Sequence, residues 1–292
     1  MSEAGRRVVV VGHVCLDEIV ASAGVTRAAG SPAVFMAPVL VEAGIEPLIS
    51  APHGADFDAL GTGLRFLEPP AGAQTLLYVN DVRTERRRQS VGHADVLARD
   101  TAAPSPATRA ALAGAAALVL TPLLPLRDEL VAELVSLLPA GALRVALVQG
   151  YLRRLGTAVD GAQPVEPREF TEADAVLPLM DVAVLSEEDL GDPAAAHHAA
   201  GMWSAAHPST AIVVTRGEAG ASAYLRGERR DVPAHPVGVL SAANLVGAGD
   251  LFSAALVVSL LGAPRGRTLD ADTLVDAVDA ANRATAERLA AR

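Results

Sequence analysis

Short apolar runs rich in Val, Ala and Leu alternate along the chain with longer stretches of helical period. "RVVVVGHVCL" (7–16) is a β-branched run interrupted by glycine, the pattern of a buried strand. "SPAVFMAPVLVEAGIEPLIS" predicts a helix, a stop at Gly44, then a strand. "GADFDALGTGLRFLEP" predicts a short helix and a turn. Residues 74–95 alternate polar and apolar, as solvent-facing antiparallel strands do. Past "RDTAAPSPAT" the alternation of elements becomes regular. Strands are expected in "AALVLTPLL", "LRVALVQG" and "TAIVVTRGEAGASAYLRG", the last as strand, glycine-rich turn and strand. "RDELVAELVSLLP" and "AHHAAGMWSAAH" read as helices, and "MDVAVLSEEDL" as a strand and the start of a helix. Two helices, 250–262 and 271–290, close the chain. Strands alternating with helices imply a mostly parallel sheet covered on both faces. No repeat or low-complexity linker divides residues 1–292, so one domain is expected, with a small separate sheet drawn from about 13–34 and 73–97.

Composition narrows the chemistry. The formal net charge is −10, which argues against sequence-independent binding to nucleic acid or an anionic membrane. All 24 basic residues are arginine, which removes lysine Schiff bases and the P-loop lysine. Cys15 is the only cysteine, sits among apolar residues, and reads as packing. The first residues are too polar for a signal peptide, and no run is long enough to span a membrane, so a cytoplasmic protein is expected.

Several short motifs should fall beyond the carboxyl ends of the sheet strands, where ligands bind in α/β folds. "GAGD", Gly247 to Asp250, precedes an apolar helix. It is either a helix cap or a constellation for phosphoryl transfer: backbone amides for developing charge and a carboxylate to take a hydroxyl proton. "TRGEAG" (215–220) is either a hairpin turn or a phosphate-binding turn. Asp17, expected just after the first strand, is either a solvated loop charge or a receiver of sugar hydroxyls. "LSEEDL" (185–190) either complements a helix dipole or orients magnesium through water. Gln149 and Arg153 in "QGYLRR" can reach a cleft, and "RTERRRQ" (83–89) is either a solvated face or an anion contact. There is no HExxH, Gly-x-Ser-x-Gly or GxGxxG after the first strand.

Taken in order, "VVVVGHVCLDEIV", "GIEPLISAPHGADF", "VLSEEDL", "IVVTRGEAGASAY" and "NLVGAGDLFSAAL" resemble the PfkB, or ribokinase-like, carbohydrate kinases. "TLLYVNDVRTERRRQ" with "VQGYLRR" looks most like the inositol-kinase branch. The resemblance implies a three-layer α/β/α sandwich with a small antiparallel β lid, which in the family often also makes a homodimer. It implies an ATP- and magnesium-dependent kinase acting on a sugar, inositol or similar polyol. Asp250 would be the base, and Gly247, Ala248 and Gly249 the anion hole. Thr215, Arg216, Gly217 and Gly220 would form the nucleotide turn, with Asn282 near the adenine. Asp17, Gly30, Ser31, Asn80, Gln149 and Arg153 would meet the acceptor. Departures from the pattern are plain. Asn244 and Leu245 replace an Asp-Thr pair tied to a monovalent cation (K+) site in some members. The family's Asn-x-x-Glu becomes Ser186 through Asp189, shortening the arm toward the magnesium site, and Leu147 replaces an Asp. Two other readings follow: a degenerate member that binds without turnover, and a nucleoside kinase in which a ring such as Phe35 stacks on the base.

Overall fold

A computed structural model describes residues 7–22, 24–83, 88–101, 103–238, 245–263 and 269–292. The chain runs β1 (Arg7–Gly12), β2 (Cys15–Ala21), β3 (Gly24–Gly30), α1 (Pro32–Glu42), β4 (Glu46–Ser50), α2 (Ala55–Asp58), β5 (Leu76–Asp81) and β6 (Arg88–Gly92). It continues α3 (Pro106–Leu112), β7 (Ala117–Thr121), α4 (Asp128–Ser136), β8 (Leu143–Leu147), β9 (Arg153–Leu155), β10 (Gln163–Pro167) and α5 (Ala173–Val176). Then come β11 (Val182–Ser186), α6 (Pro193–Ala206), β12 (Ala211–Thr215), β13 (Ala221–Leu225), β14 (Glu228–Val232), α7 (Ala248–Gly262) and α8 (Ala271–Ala290).

The main sheet has the order β14-β13-β12-β11-β8-β7-β1-β4. Its strands from β4 through β12 pair in parallel, and β13 and β14 add an antiparallel edge. The all-apolar strands of the sequence are these central ones, because a parallel strand under two helical layers has no polar face. Alternate residues of β1 show the division. Val8 and Val10 pack with α1, α7 and α8 on one face. Val9 and Val11 pack with α3, α4, α5 and α6 on the other. This is the expected three-layer sandwich.

A second sheet has the order β3-β2-β5-β6-β10-β9. It contains the expected strands but corrects the expectation in three ways. First, β2 and β5 pair in parallel, so the sheet is mixed. The chain crosses to β4 and back between them, and so re-enters from the same end. Second, the hairpin β9–β10 joins the far edge. Its strands, "RRL" and "QPVEP", are short, charged and proline-broken, which hides the period-two signal. Third, Asp17 lies inside β2, not in a loop after β1. Elsewhere, the acidic stretch after β11 is a turn, not a helix start. The Asp189 carboxylate accepts from the Ser186 amide and closes that turn. The helix begins only where Asp192 caps the Ala194 amide and Pro193 fixes the first position. The helix expected from 250 starts at Ala248.

Gly12 ends β1 opposite Thr121 of β7, and a Cβ there would run into the Thr121 carbonyl. That obstacle is main chain and cannot rotate aside. Gly12→Ala is therefore expected to cost about 1–3 kcal/mol, the usual penalty of overpacking. Urea unfolding reads it as a lower midpoint, and an unchanged midpoint would show that the two strands part freely.

Candidate active site

The carboxyl ends of β8, β11 and β12, the start of α7 and the inner strands of the second sheet meet in one region. Asp250 is the third residue of α7. The cap position belongs to Gly247, at φ 77°, and no side chain caps that end. A Cβ on Gly247 would also strike the Phe35 ring of α1, so glycine is required there on two counts. Behind Asp250 the helix is buried from Leu251 to Val257, which pins the carboxylate in place. Among the described residues Asp250 has no hydrogen-bond partner. The cap reading of "GAGD" therefore has no support.

Three charged side chains act on Asp250. Enclosure by surrounding atoms, then the negative charges of Asp17 and Asp189, push its carboxyl up to about 7, while Arg153 pulls the other way. Part of the residue's surface still meets solvent. The Cys15 thiol sits beside this group. Burial first, then Asp17 and Asp250, push it well above its ordinary value, so it stays a protonated packing group.

Asp17 is held from the second sheet. Asn80 Nδ2 donates to its Oδ1 at 3.5 Å, and Gln89 Nε2 donates to Asn80 Oδ1 at 2.9 Å. Gly30 makes room: it faces Cys15 across the β2–β3 pair, and a Cβ there would collide with the Asp17 carboxylate. Ser31 follows as the residue before α1. Arg153 Nη1 donates to Tyr78 Oη at 3.2 Å, and its Nη2 lies 3.9 Å from Asp189 Oδ1. Gln149 Nε2 donates to the same Asp189 oxygen at 2.9 Å. Asp189 thus joins the acceptor-side residues to the turn at Ser186.

That turn lies against the 215–220 turn. Ser186 pairs with Thr215 between β11 and β12, and the Glu187 amide donates to the Thr215 carbonyl. Gly217 and Gly220 both have positive φ, and a Cβ on Gly220 would meet the Val232 carbonyl. Arg216 Nη2 donates to the Ala219 carbonyl and braces the turn from within. Asn282 stands apart from the rest. Its Nδ2 donates to the carbonyls of Val232 and Pro233, fixing the segment after β14. Asn244 lies outside the described residues.

Sequence reasoning missed Tyr78 as a partner of Arg153, and Gln89 as the support of Asn80. Their strand period places Tyr78 and Asn80 on one face of β5, and that was the available signal. Among the described residues no group of three His, Cys, Asp or Glu side chains is arranged to hold a metal ion. One Asp189 oxygen accepts from Gln149 and the other from the Ser186 amide. No helix of the described residues is long and apolar enough to cross a membrane.

This fold, with Asp250 beside backbone amides at a helix mouth, has the architecture of the ribokinase-like kinases. The family model for the pfkB family of carbohydrate kinases matches residues 57–290, and the chain belongs to that family. No curated protein matches it. Among solved structures it is similar to a pyrophosphate-dependent kinase in the ribokinase family in complex with sulfate: TM-score 0.69, 16% identity, covering 97% of this chain and 95% of that one. A pyrophosphate-dependent kinase of the same family, complexed with a pyrophosphate analog and myo-inositol, gives TM-score 0.68 at 15% identity, covering 97% and 94%. The nucleoside kinase of Methanocaldococcus jannaschii gives TM-score 0.66 at 12% identity, covering 96% and 90%.

A carboxyl raised in the folded state binds a proton more tightly there than in the unfolded chain. Its contribution to stability is therefore greatest at low pH and declines as pH rises, between its ordinary value of 3.8 and about 7. Asp250→Asn removes that decline. The variant is expected to melt at a higher temperature than the wild type at pH 8, and with little difference below about pH 4. An offset that does not change with pH would show the carboxyl to be unshifted.

Proposed function

We propose that the protein transfers a phosphoryl group from a donor on the 215–220 turn to a hydroxyl of an inositol, sugar or similar polyol. The observation that carries this is the place of the Asp250 carboxylate, in the first turn of α7 within reach of Asp17, Asp189 and Arg153, which with its enclosure pushes it up to about 7. A base with that value takes a hydroxyl proton at neutral pH without being protonated most of the time. The amides of residues 247–249 face the region where negative charge develops, and they carry the positive end of the helix dipole. Asp17, braced by Asn80, accepts from acceptor hydroxyls. Arg153, between Tyr78 and Asp189, holds the acceptor oxygens or the arriving phosphoryl group.

A magnesium ion in this chemistry offsets charge on the transferring phosphates. It is carried mainly by donor oxygens and water, so no protein cage is needed. Asp189, with both oxygens already accepting, fits the role of orienting a metal-bound water and not that of a direct ligand.

ATP is the family's usual donor. Pyrophosphate is the second reading, favoured by one detail. Asn282, expected near an adenine, spends its amide on the carbonyls of Val232 and Pro233. Two solved neighbours are also described as pyrophosphate-dependent. A donor without a base has no need of that amide. Polyol is preferred to nucleoside because the acceptor side is lined by Asp17, Asn80 and Arg153, groups suited to hydroxyls, while Phe35, the ring a base could use, is half-buried with one side against Gly247.

The test is phosphoryl transfer from ATP and from pyrophosphate to a panel of inositols, sugars and nucleosides. Turnover of a polyol is expected. Asp250→Asn should lower kcat on the order of 10²-fold or more, and wild-type kcat/KM should fall as pH drops below about 7. Near-normal turnover in that variant would remove Asp250 from the chemistry.

A further inference from the structure

Gly247 opens α7 at φ 77° and has no side chain to steady the peptide planes on either side of it. The plane after it is fixed by the helix, because the Gly247 carbonyl accepts from the Leu251 amide at 2.9 Å. The plane before it, between Val246 and Gly247, lies outside the helical ladder. Val246 is 43% exposed, so packing does little to hold that plane.

A side chain from beyond α8 reaches it. Arg292 Nη1 donates to the Val246 carbonyl at 2.8 Å, across 46 positions of the chain. The arm starts from a fixed base. The Arg292 amide donates to the Leu289 carbonyl, and Leu289 is buried in the core that α8 shares with α7. One turn earlier, Arg288 pairs with Glu42 at the end of α1, the helix whose Phe35 meets Gly247. At the start of the same connection from β14 to α7, Asn282 holds the carbonyls of Val232 and Pro233, and Asp279 pairs with His235 at 3.0 Å. Contacts from α8 and the residues just past it therefore grip that connection at both ends. In a trans peptide the carbonyl and the N–H share one plane and point opposite ways. Fixing the Val246 carbonyl thus fixes the direction of the Gly247 N–H. A half-turn of the plane would put a carbonyl oxygen, the wrong end of the dipole, where the amide had been.

We propose that Arg292 is a positioning residue for phosphoryl transfer: by holding the Val246 carbonyl, it keeps the Gly247 N–H in the anion hole. This rests on the kinase reading above, in which the amides of residues 247–249 meet the transferring group. Arg292 acts through the main chain and not by touching donor or acceptor. Its bond is exposed and adds little to overall stability, so its loss shows in turnover.

The test compares the full-length wild type with Arg292→Met, which keeps the stem and loses the donor, and Arg292→Lys, which keeps a donor. Kinetics are measured with ATP or pyrophosphate, whichever the wild type uses, and with the best acceptor of the panel. Arg292→Met should lower kcat about tenfold, less than outright removal of an anion-hole donor, because the peptide still visits the productive orientation. Both KM values should stay within about twofold of wild type. The melting temperature and the pH below which kcat/KM falls should not move, since the core and Asp250 are untouched. Arg292→Lys should recover kcat to within about threefold of wild type. An unchanged kcat in Arg292→Met would overturn the inference and leave the kinase reading standing. A lysine variant as slow as the methionine one would do the same. A loss spread over both KM values with a lower melting temperature would show a merely structural bond and also overturn it. If the wild type turns over no member of the panel, the kinase reading falls and this inference falls with it.

Discussion

The site depends on like charges held together against their repulsion. Asp250, Asp17 and Asp189 act on one another, with Arg153 as the counter-charge beside them. Left mobile, three carboxylates would separate into solvent. They stay because each is anchored by a different rigid element. Asp250 lies in the first turn of a helix whose next seven residues are buried. Asp17 stands on a strand paired on both sides. Asp189 is bound by a backbone amide and a glutamine. The packing of the central layers outweighs the repulsion, and enclosure first, then that repulsion, raise the proton affinity of Asp250.

The two sheets divide this work. The parallel sheet presents the turns at 186–189 and 215–220 from the ends of adjacent strands, which fixes their spacing to that of paired strands. The second sheet supplies Asp17, Asn80, Tyr78 and Arg153. Most of β3 is solvent-exposed, so that edge contributes its terminal glycine to the site and little to the core.

Much of the central layer was legible in the sequence, because its strands are apolar throughout and its helices carry clear stops. β1, β7, β8, β11 and β12 stand where their apolar runs predict them. The parts that were not legible share a cause. β9, β10 and β14 are polar edge or near-edge strands whose pairing is decided by what lies beside them, not by their own period. The turn at 187–190 looked helical because acidic residues favour helix starts; Asp189 instead bonded back to its own turn. Of the candidate site, the glycine-rich stretches and Asp250 were readable as motifs. The Tyr78–Arg153 contact spans 75 positions along the chain and only exists once the fold brings β5 and β9 together.

The departures from the family pattern then take on a physical sense. Leu147, in the place of an aspartate, is buried against the layer that includes α7, so apolar packing behind that helix stands where the family pattern has a charge. The polar duty moves two positions along. Gln149 reaches Asp189, and Arg153 closes on it from the next strand. Ser186 keeps its main-chain amide for the same carboxylate, a contact that needs no particular side chain. Asp189 therefore remains oriented, although the residues that orient it differ from the expected ones. A site can exchange the groups around a carboxylate in this way so long as the exchange preserves its direction and its distance from Asp250. The reverse does not hold at Gly247, where backbone angle and the Phe35 ring both exclude any side chain. The glycine at the mouth of α7 is the more constrained element of the two, and the rest of the site is arranged around it.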